Sequence, residues 1–246
     1  MQAVILAAGK GTRMGRATDD WPKPMLRVGG STILEHILAN LPGEIDKIIF
    51  IVGYRGDIIK NYFGAEHQGR ELTYVWQYHL DGTAGAIRRA RRLLKGKFLV
   101  LNGDDLYHHD DLKRAVAHEF CLMVKETENP ERFGVIELDE KGYLKKIIEK
   151  SDNPPSNLVN IGVYVLDKKF FDYEPVAISA KEYGLPQTIA LMAADHEIKV
   201  EIANFWQPCN TPQDLKDAEN ILGLTKMNDA NCSLDLLPDE QDKSKF

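Results

Sequence analysis

Lys10, Arg13 and Lys23 bring positive charge to the first loop of the chain. They sit beside two glycines, in Gly9-Lys10-Gly11-Thr12-Arg13-Met14, and between prolines, in Trp21-Pro22-Lys23-Pro24-Met25-Leu26. Glycines let backbone N–H groups approach phosphate oxygens with no Cβ in the way. Concentrated positive charge next to such a loop suits a triphosphate or pyrophosphate. The loop is not a Walker loop, because no Gly-Lys-Ser/Thr follows at the required spacing. It is a poor dinucleotide fingerprint, because Met14 stands where the third glycine belongs. From spacing alone, phosphate binding and a plain strand-to-helix turn fit equally well.

An element must aim this loop. The run Ala3-Val4-Ile5-Leu6-Ala7-Ala8 is short, apolar and ended by glycine, which predicts a buried strand. Open α/β sheets bind ligands at the carboxyl ends of such strands. Further strands are expected at Ile48–Val52, Leu72–Gln77 and Phe98–Leu101, separated by helices after Thr32, around Asp57–Phe63 and over Gly82–Leu94. This alternation predicts an α/β, Rossmann-like, doubly wound and mostly parallel mixed sheet. A small hairpin-containing insertion is expected from Phe133–Leu138, the Glu140-Lys141-Gly142 turn and Tyr143–Ile148. Then come a strand at Ile161–Leu166, a helix at Leu185–Ala194, a strand at Lys199–Phe205 and a helix from the Thr211 cap through Leu222. Residues 226–246 read as a polar tail, mobile or in contact with another subunit of a homo-oligomer.

The motifs LAAGKGTRM and WPKPML resemble the signature of the sugar-1-phosphate nucleotidyltransferases, the nucleoside-diphosphate-sugar pyrophosphorylases. Arg13 and Lys23 stand ten positions apart, as in the family's G-x-G-T-R and P-K-P pattern. The resemblance spans about residues 1–222. It implies a reaction of a nucleoside triphosphate with a sugar 1-phosphate, giving a nucleoside-diphosphate sugar and pyrophosphate. Arg13 and Lys23 are then the implied catalytic cations. Leu6, Ala8, Gly9, Lys10, Gly11 and Thr12 would bind nucleotide. Lys23 lies in a Pro-bounded loop, where truncation is expected to cost little stability.

The later motifs follow the family's order. Gln77, Gly82 and Thr83 resemble its Q-x(3,4)-G-T-A element. The Gln amide would pair with a base edge, which in relatives accompanies uracil or thymine. Asp104, in Gly103-Asp104, matches the aspartate that binds nucleotide-bound Mg²⁺ and ligates the metal. Gly134, Glu149, Lys150, Asn160 and Gly162 resemble the sugar-phosphate elements. Asn210, in Trp206-Gln207-Pro208-Cys209-Asn210-Thr211-Pro212, stands where many relatives carry a second metal-binding Asp. In the N-acetylglucosamine-1-phosphate uridylyltransferases an Asn serves there, so the implied metal ligands are Asp104 and Asn210. A nucleotidyltransferase domain of residues 1–225 is expected, with a nucleotide half over about 1–125 and a sugar half over about 126–225. Two other classes stay open: a cytidylyltransferase for another phosphate acceptor, and a non-catalytic regulatory paralogue that binds nucleotide sugar.

Composition narrows the rest. An apolar share of 43% and a charged share of 28% suit a globular chain of 246 residues. A net charge of −6 argues against a general nucleic-acid binder. Arg88, Arg89, Arg91, Arg92 and Lys95 read as a solvated helix face. His108-His109-Asp110-Asp111 reads as a polar helix start rather than a metal cluster. Cys121, Cys209 and Cys232 are scattered and unpaired in sequence, favouring reduced thiols and a cytoplasmic location. No apolar run approaches membrane-spanning length, and no signal-peptide pattern is expected.

Overall fold

The computed structural model describes residues 1–149 and 153–223. Lys150, Cys232 and the 226–246 tail therefore lie outside the described residues.

The expected alternation is present. The chain runs through β1 (Gln2–Ala7), α1 (Ile33–Asn40), β2 (Lys47–Val52), α2 (Gly56–Phe63), β3 (Arg70–Trp76), α3 (Gly82–Arg89) and β4 (Phe98–Asn102). These four strands are parallel, in the order β3-β2-β1-β4. β1 is central, and its alternate residues enter two different cores. Ala3, Ile5 and Ala7 pack on one face, and Val4 on the other. Burial on both faces is why the run is continuously apolar rather than alternating. At the start of α1, Thr32 Oγ1 accepts from Glu35 N at 3.1 Å, and Glu35 Oε2 accepts from Thr32 N at 2.7 Å. This reciprocal cap satisfies two helix-end donors.

The second half adds α4 (His109–Val116), β5 (Cys121–Glu126), β6 (Gly134–Leu138), β7 (Leu144–Glu149), β8 (Leu158–Leu166), α5 (Leu185–Met192), β9 (Lys199–Ile202) and α6 (Pro212–Ile221). β8 runs antiparallel to β4 on one side and to β5 on the other. β9 pairs parallel with β5. The β6–β7 hairpin joins near the start of β8 through Val135 and Val159. The result is one mixed sheet with a parallel core. Side chains of α1, α2, α4 and α6 fill one face; those of α3 and α5 fill the other.

Some element bounds shift. α3 stops at Arg89, because Arg91 N and Leu93 N bond back to the carbonyls three residues earlier, tightening the chain into turns. β9 stops at Ile202, where Lys125 Nζ takes up the carbonyls of Ala203 and Asn204, at 3.1 and 2.8 Å. A separate short strand, Trp206–Pro208, then pairs with Asp105–Tyr107. Strand β5 had no clear sequence signal: Cys121-Leu122-Met123-Val124 is too short to separate strand from helix by periodicity. His108 caps α4 through its side chain, as a polar helix start should. Among the described residues no helix is long and apolar enough to cross a membrane. Cys121 and Cys209 are buried free thiols.

Candidate active site

A cleft of about 470 Å³ opens at the carboxyl ends of β1 and β4. Leu6, Ala8, Gly9, Gly11, Thr12 and Arg13 line it from the first strand and loop. Lys23 enters from the next turn, Gln77, Gly82 and Thr83 from the β3–α3 junction, and Asp104 and Asn210 from the far side.

Backbone contacts fix the first loop. Gly103 N donates to Leu6 O at 2.9 Å, and Tyr54 N donates to Ala8 O at 3.1 Å. Gly11 sits at φ +69, and a Cβ there would stand 2.7 Å from Lys23 Cβ. Glycine therefore serves twice: it accepts the left-handed backbone and lets Lys23 lie against the loop.

Four side chains converge. Lys23 Nζ donates to Asp104 Oδ2 at 2.6 Å and to Asn210 Oδ1 at 3.0 Å. Arg13 donates to the same Asn210 oxygen at 2.9 Å. Lys23 is only 4% exposed. Arg and Lys can only donate, so Asn210 must turn its carbonyl, not its NH₂, inward. Its own backbone N–H is held by Asp214 Oδ2 at 2.9 Å, through the capping box of α6. With two cations against one carboxylate and one neutral amide, the cluster favours an anion.

One point thus lies within hydrogen-bonding reach of both Asp104 Oδ2 and Asn210 Oδ1, and a cationic ammonium holds it. Two inward oxygens around a cation are a donor set that suits Mg²⁺. Behind Asp104, Asp105 is buried. It accepts from Trp206 Nε1 at 3.2 Å and from Cys209 N at 3.4 Å. Burial first, then the neighbouring Asp104 charge, pushes the Asp105 carboxyl well above the usual carboxylate range.

Several predicted residues are placed differently. Lys10 is exposed and carries its ammonium over the Tyr54 ring, 5.4 Å from the centroid, rather than along the cleft. Thr83 lines the cleft, but its hydroxyl accepts from Leu185 N at 2.9 Å, capping α5. Gly134 and Glu149 pair across the β6–β7 hairpin. Asn160 bonds to Tyr164 and to Gly162 N, at 2.6 and 3.0 Å. These three elements do not line the cleft themselves. Gly162 reaches it by contact, abutting Asn102, whereas Glu149 accepts from Gln187 at 2.9 Å, away from the cleft lining. Asn102, Ile178 and Glu182 do line it and were not singled out from sequence. Asn102 had one usable signal, its place at a strand end before Gly103-Asp104. Ile178 and Glu182 had none, because a distant backbone bond, Tyr183 N to Asp81 O at 2.9 Å, brings their segment in.

The arginine run is also not a uniform solvated face. Arg88 donates to Tyr173 O at 3.0 Å, and Arg89 forms an ion pair with Asp81 at 3.0 Å; both are half-buried. Arg91 and Arg92 are exposed.

Comparison with known proteins gives the family. The family model for the nucleotidyl transferases matches residues 2–222. The "Bifunctional protein GlmU" of Methanocaldococcus jannaschii is 36% identical over 93% of this chain and 55% of its own length. The "UTP--glucose-1-phosphate uridylyltransferase AglF" of Haloferax volcanii is 35% identical over 90% of this chain and 96% of its own length. The chain thus spans about half the length of the GlmU relatives. The UTP-bound UGPase of Acinetobacter baumannii shares the fold, with TM-score 0.81 at 21% identity, covering 91% of this chain and 93% of that one. The matched range takes in the central sheet and the cleft at its edge, and the chain belongs to the nucleotidyl transferase family.

Proposed function

We propose that the protein joins a nucleoside triphosphate to a sugar 1-phosphate, releasing pyrophosphate, with UTP or dTTP as the favoured nucleotide. The observation that carries this reading is the convergence of Arg13, Lys23, Asp104 and Asn210 in one cleft that also reaches Gln77. The Haloferax relative, a UTP–glucose-1-phosphate uridylyltransferase by name, supports a sugar 1-phosphate and UTP.

The sugar-phosphate oxygen attacks the nucleotide α-phosphorus in line, and pyrophosphate leaves. No covalent side chain is needed, so catalysis is positioning and charge stabilisation. Lys23 would meet charge on the α-phosphate and the incoming sugar phosphate. Arg13 would meet charge on the departing pyrophosphate. Gln77 and Gly82, which line the same cleft, hold the base. Asp104 and Asn210 would hold Mg²⁺, which supplies neutralisation of the triphosphate when bound. Residues up to about 125 form the nucleotide half. Residues from about 126 to 225 form the sugar half, where Gly134, Glu149, Lys150, Asn160 and Gly162 serve the acceptor.

The test is pyrophosphate release with five nucleoside triphosphates crossed against several sugar 1-phosphates and a non-sugar phosphate acceptor, with nucleotide-sugar binding measured alongside. Turnover with UTP or dTTP and at least one sugar 1-phosphate is expected. Turnover only with CTP and a non-sugar phosphate would overturn the reading, as would nucleotide-sugar binding without turnover.

A further inference from the structure

Gln77 is 4% exposed and spends its NH₂ group inside the protein. Nε2 donates to Asp81 Oδ1 at 2.7 Å and to Gly82 O at 3.0 Å. Both partners can only accept, so chemistry fixes which way the amide faces. Its carbonyl is the polar group left for the cleft, which Gln77 lines.

Asp81 is itself held. Arg89 NH1 donates to its second oxygen, Oδ2, at 3.0 Å. Gly85, one turn into α3, leaves the room: a Cβ there would stand 2.3 Å from Asp81 Oδ1. Arg89 is tied in turn to Gly85 O and His79 O, at 3.1 and 3.4 Å. Four residues at four-residue intervals, Gln77, Asp81, Gly85 and Arg89, thus form one unit.

We infer that the Arg89–Asp81 pair sets nucleobase choice by locking the Gln77 amide with its carbonyl outward. An outward acceptor pairs with the ring N–H of uracil or thymine. Cytosine offers a ring nitrogen acceptor at the same place, and two acceptors face to face leave both unpaired. Asp81 and Arg89 are positioning residues and act through Gln77. The inference rests on the proposed reading of Gln77 as the base-reading residue.

Asp81→Asn tests it with little change of shape. Arg89 can only donate, so it takes the Asn carbonyl. The Asn NH₂ then faces the Gln77 NH₂, donor against donor, and only Gly82 O still favours the outward carbonyl, so the amide is no longer locked. Titration calorimetry with UTP and with CTP, in the absence of acceptor, reads the ratio of their affinities. The wild type is expected to favour UTP, and Asp81→Asn is expected to lower the UTP/CTP ratio at least tenfold. A packing role alone would weaken both nucleotides together and leave the ratio unchanged. Should the Asn variant not fold, Asp81→Ala leaves the amide held by Gly82 O alone and is expected to lower the ratio about threefold. Gln77→Ala separates the two claims. If it abolishes the preference while folded Asp81 variants keep the wild-type ratio, the inference is overturned and the base-reading role stands. If Gln77→Ala keeps the preference, the base-reading role fails and the inference with it. A wild type that binds CTP as well as UTP overturns the inference.

Discussion

Lys23 Nζ lies 2.6 Å from Asp104 Oδ2, across 81 residues of sequence. The contact joins the first loop to the end of β4, and Asn210 completes it from the chain's last described helix cap. A buried ammonium needs such partners, because burial of an unpaired charge is costly.

Lys23→Ala should therefore fail twice. Loss of one preorganised cation is expected to lower kcat by about 10²–10³. The sequence, with prolines on both sides, suggests little loss of stability. The structure corrects this, because Lys23 is buried and makes two side-chain hydrogen bonds. Losing them is expected to cost about 1–3 kcal/mol. Denaturant unfolding separates the two effects, and near-normal turnover in a folded variant would remove Lys23 from the mechanism.

Gly162→Ala should destabilise the sheet and disturb the cleft together. Gly162 sits at φ +75, and a Cβ would come within 2.0 Å of Asn102 Nδ2. Alanine must adopt a disfavoured backbone and push Asn102, which lines the cleft. A loss of about 1–3 kcal/mol is expected from the strain alone. Thermal unfolding reads it; an unchanged Tm would mean that β8 relaxes freely at this point.

Gln187→Leu should raise the KM for the sugar 1-phosphate and leave the KM for nucleotide alone. Gln187 Nε2 donates to Glu149 Oε1 at 2.9 Å, and Glu149 itself is exposed. Without the bond Glu149 samples more rotamers, and ordering it on binding costs about 0.5–1.5 kcal/mol. A three- to tenfold rise is about what that cost gives. The shift should vanish in a Glu149→Ala background. Equal shifts in both KM values would show a general disturbance of α5 instead.

The legible parts of this molecule are local. The glycine spacing, Arg13 and Lys23 lie within one loop, and β1 announces itself by a continuous apolar run. The Thr32 and Thr211 caps need only three or four consecutive residues. What stayed hidden is non-local. Asp81 and Arg89 look like ordinary surface charges until α3 and Gly85 bring them together. Ile178 and Glu182 enter the cleft only because Tyr183 docks on Asp81. Lys10 reads as a phosphate ligand by composition, yet an aromatic neighbour from another loop, Tyr54, takes its charge.

Asn210 is where the chain departs from the commoner Asp. Its carbonyl faces Arg13 and Lys23, while only its backbone N–H serves the α6 cap. A role limited to the turn would leave the side chain idle, whereas the inward oxygen orients Arg13 and Lys23 and is the oxygen that the proposed ligand role would use. An amide oxygen is neutral and attracts Mg²⁺ less than a carboxylate does. Asp104 would then carry the protein's charge at the metal, and Asp104→Asn should leave almost no activity at any practical Mg²⁺ concentration. Asn210→Asp adds a charge at the same oxygen. It should lower the Mg²⁺ needed for half-maximal rate several-fold. It should also raise the KM for nucleotide, because the added carboxylate holds Arg13 and Lys23 more firmly and repels the triphosphate. Initial rates titrated with Mg²⁺ at saturating nucleotide isolate the first effect from the second. If Asn210→Asp and Asn210→Ala both keep the wild-type Mg²⁺ dependence, Asn210 serves only to orient the two cations.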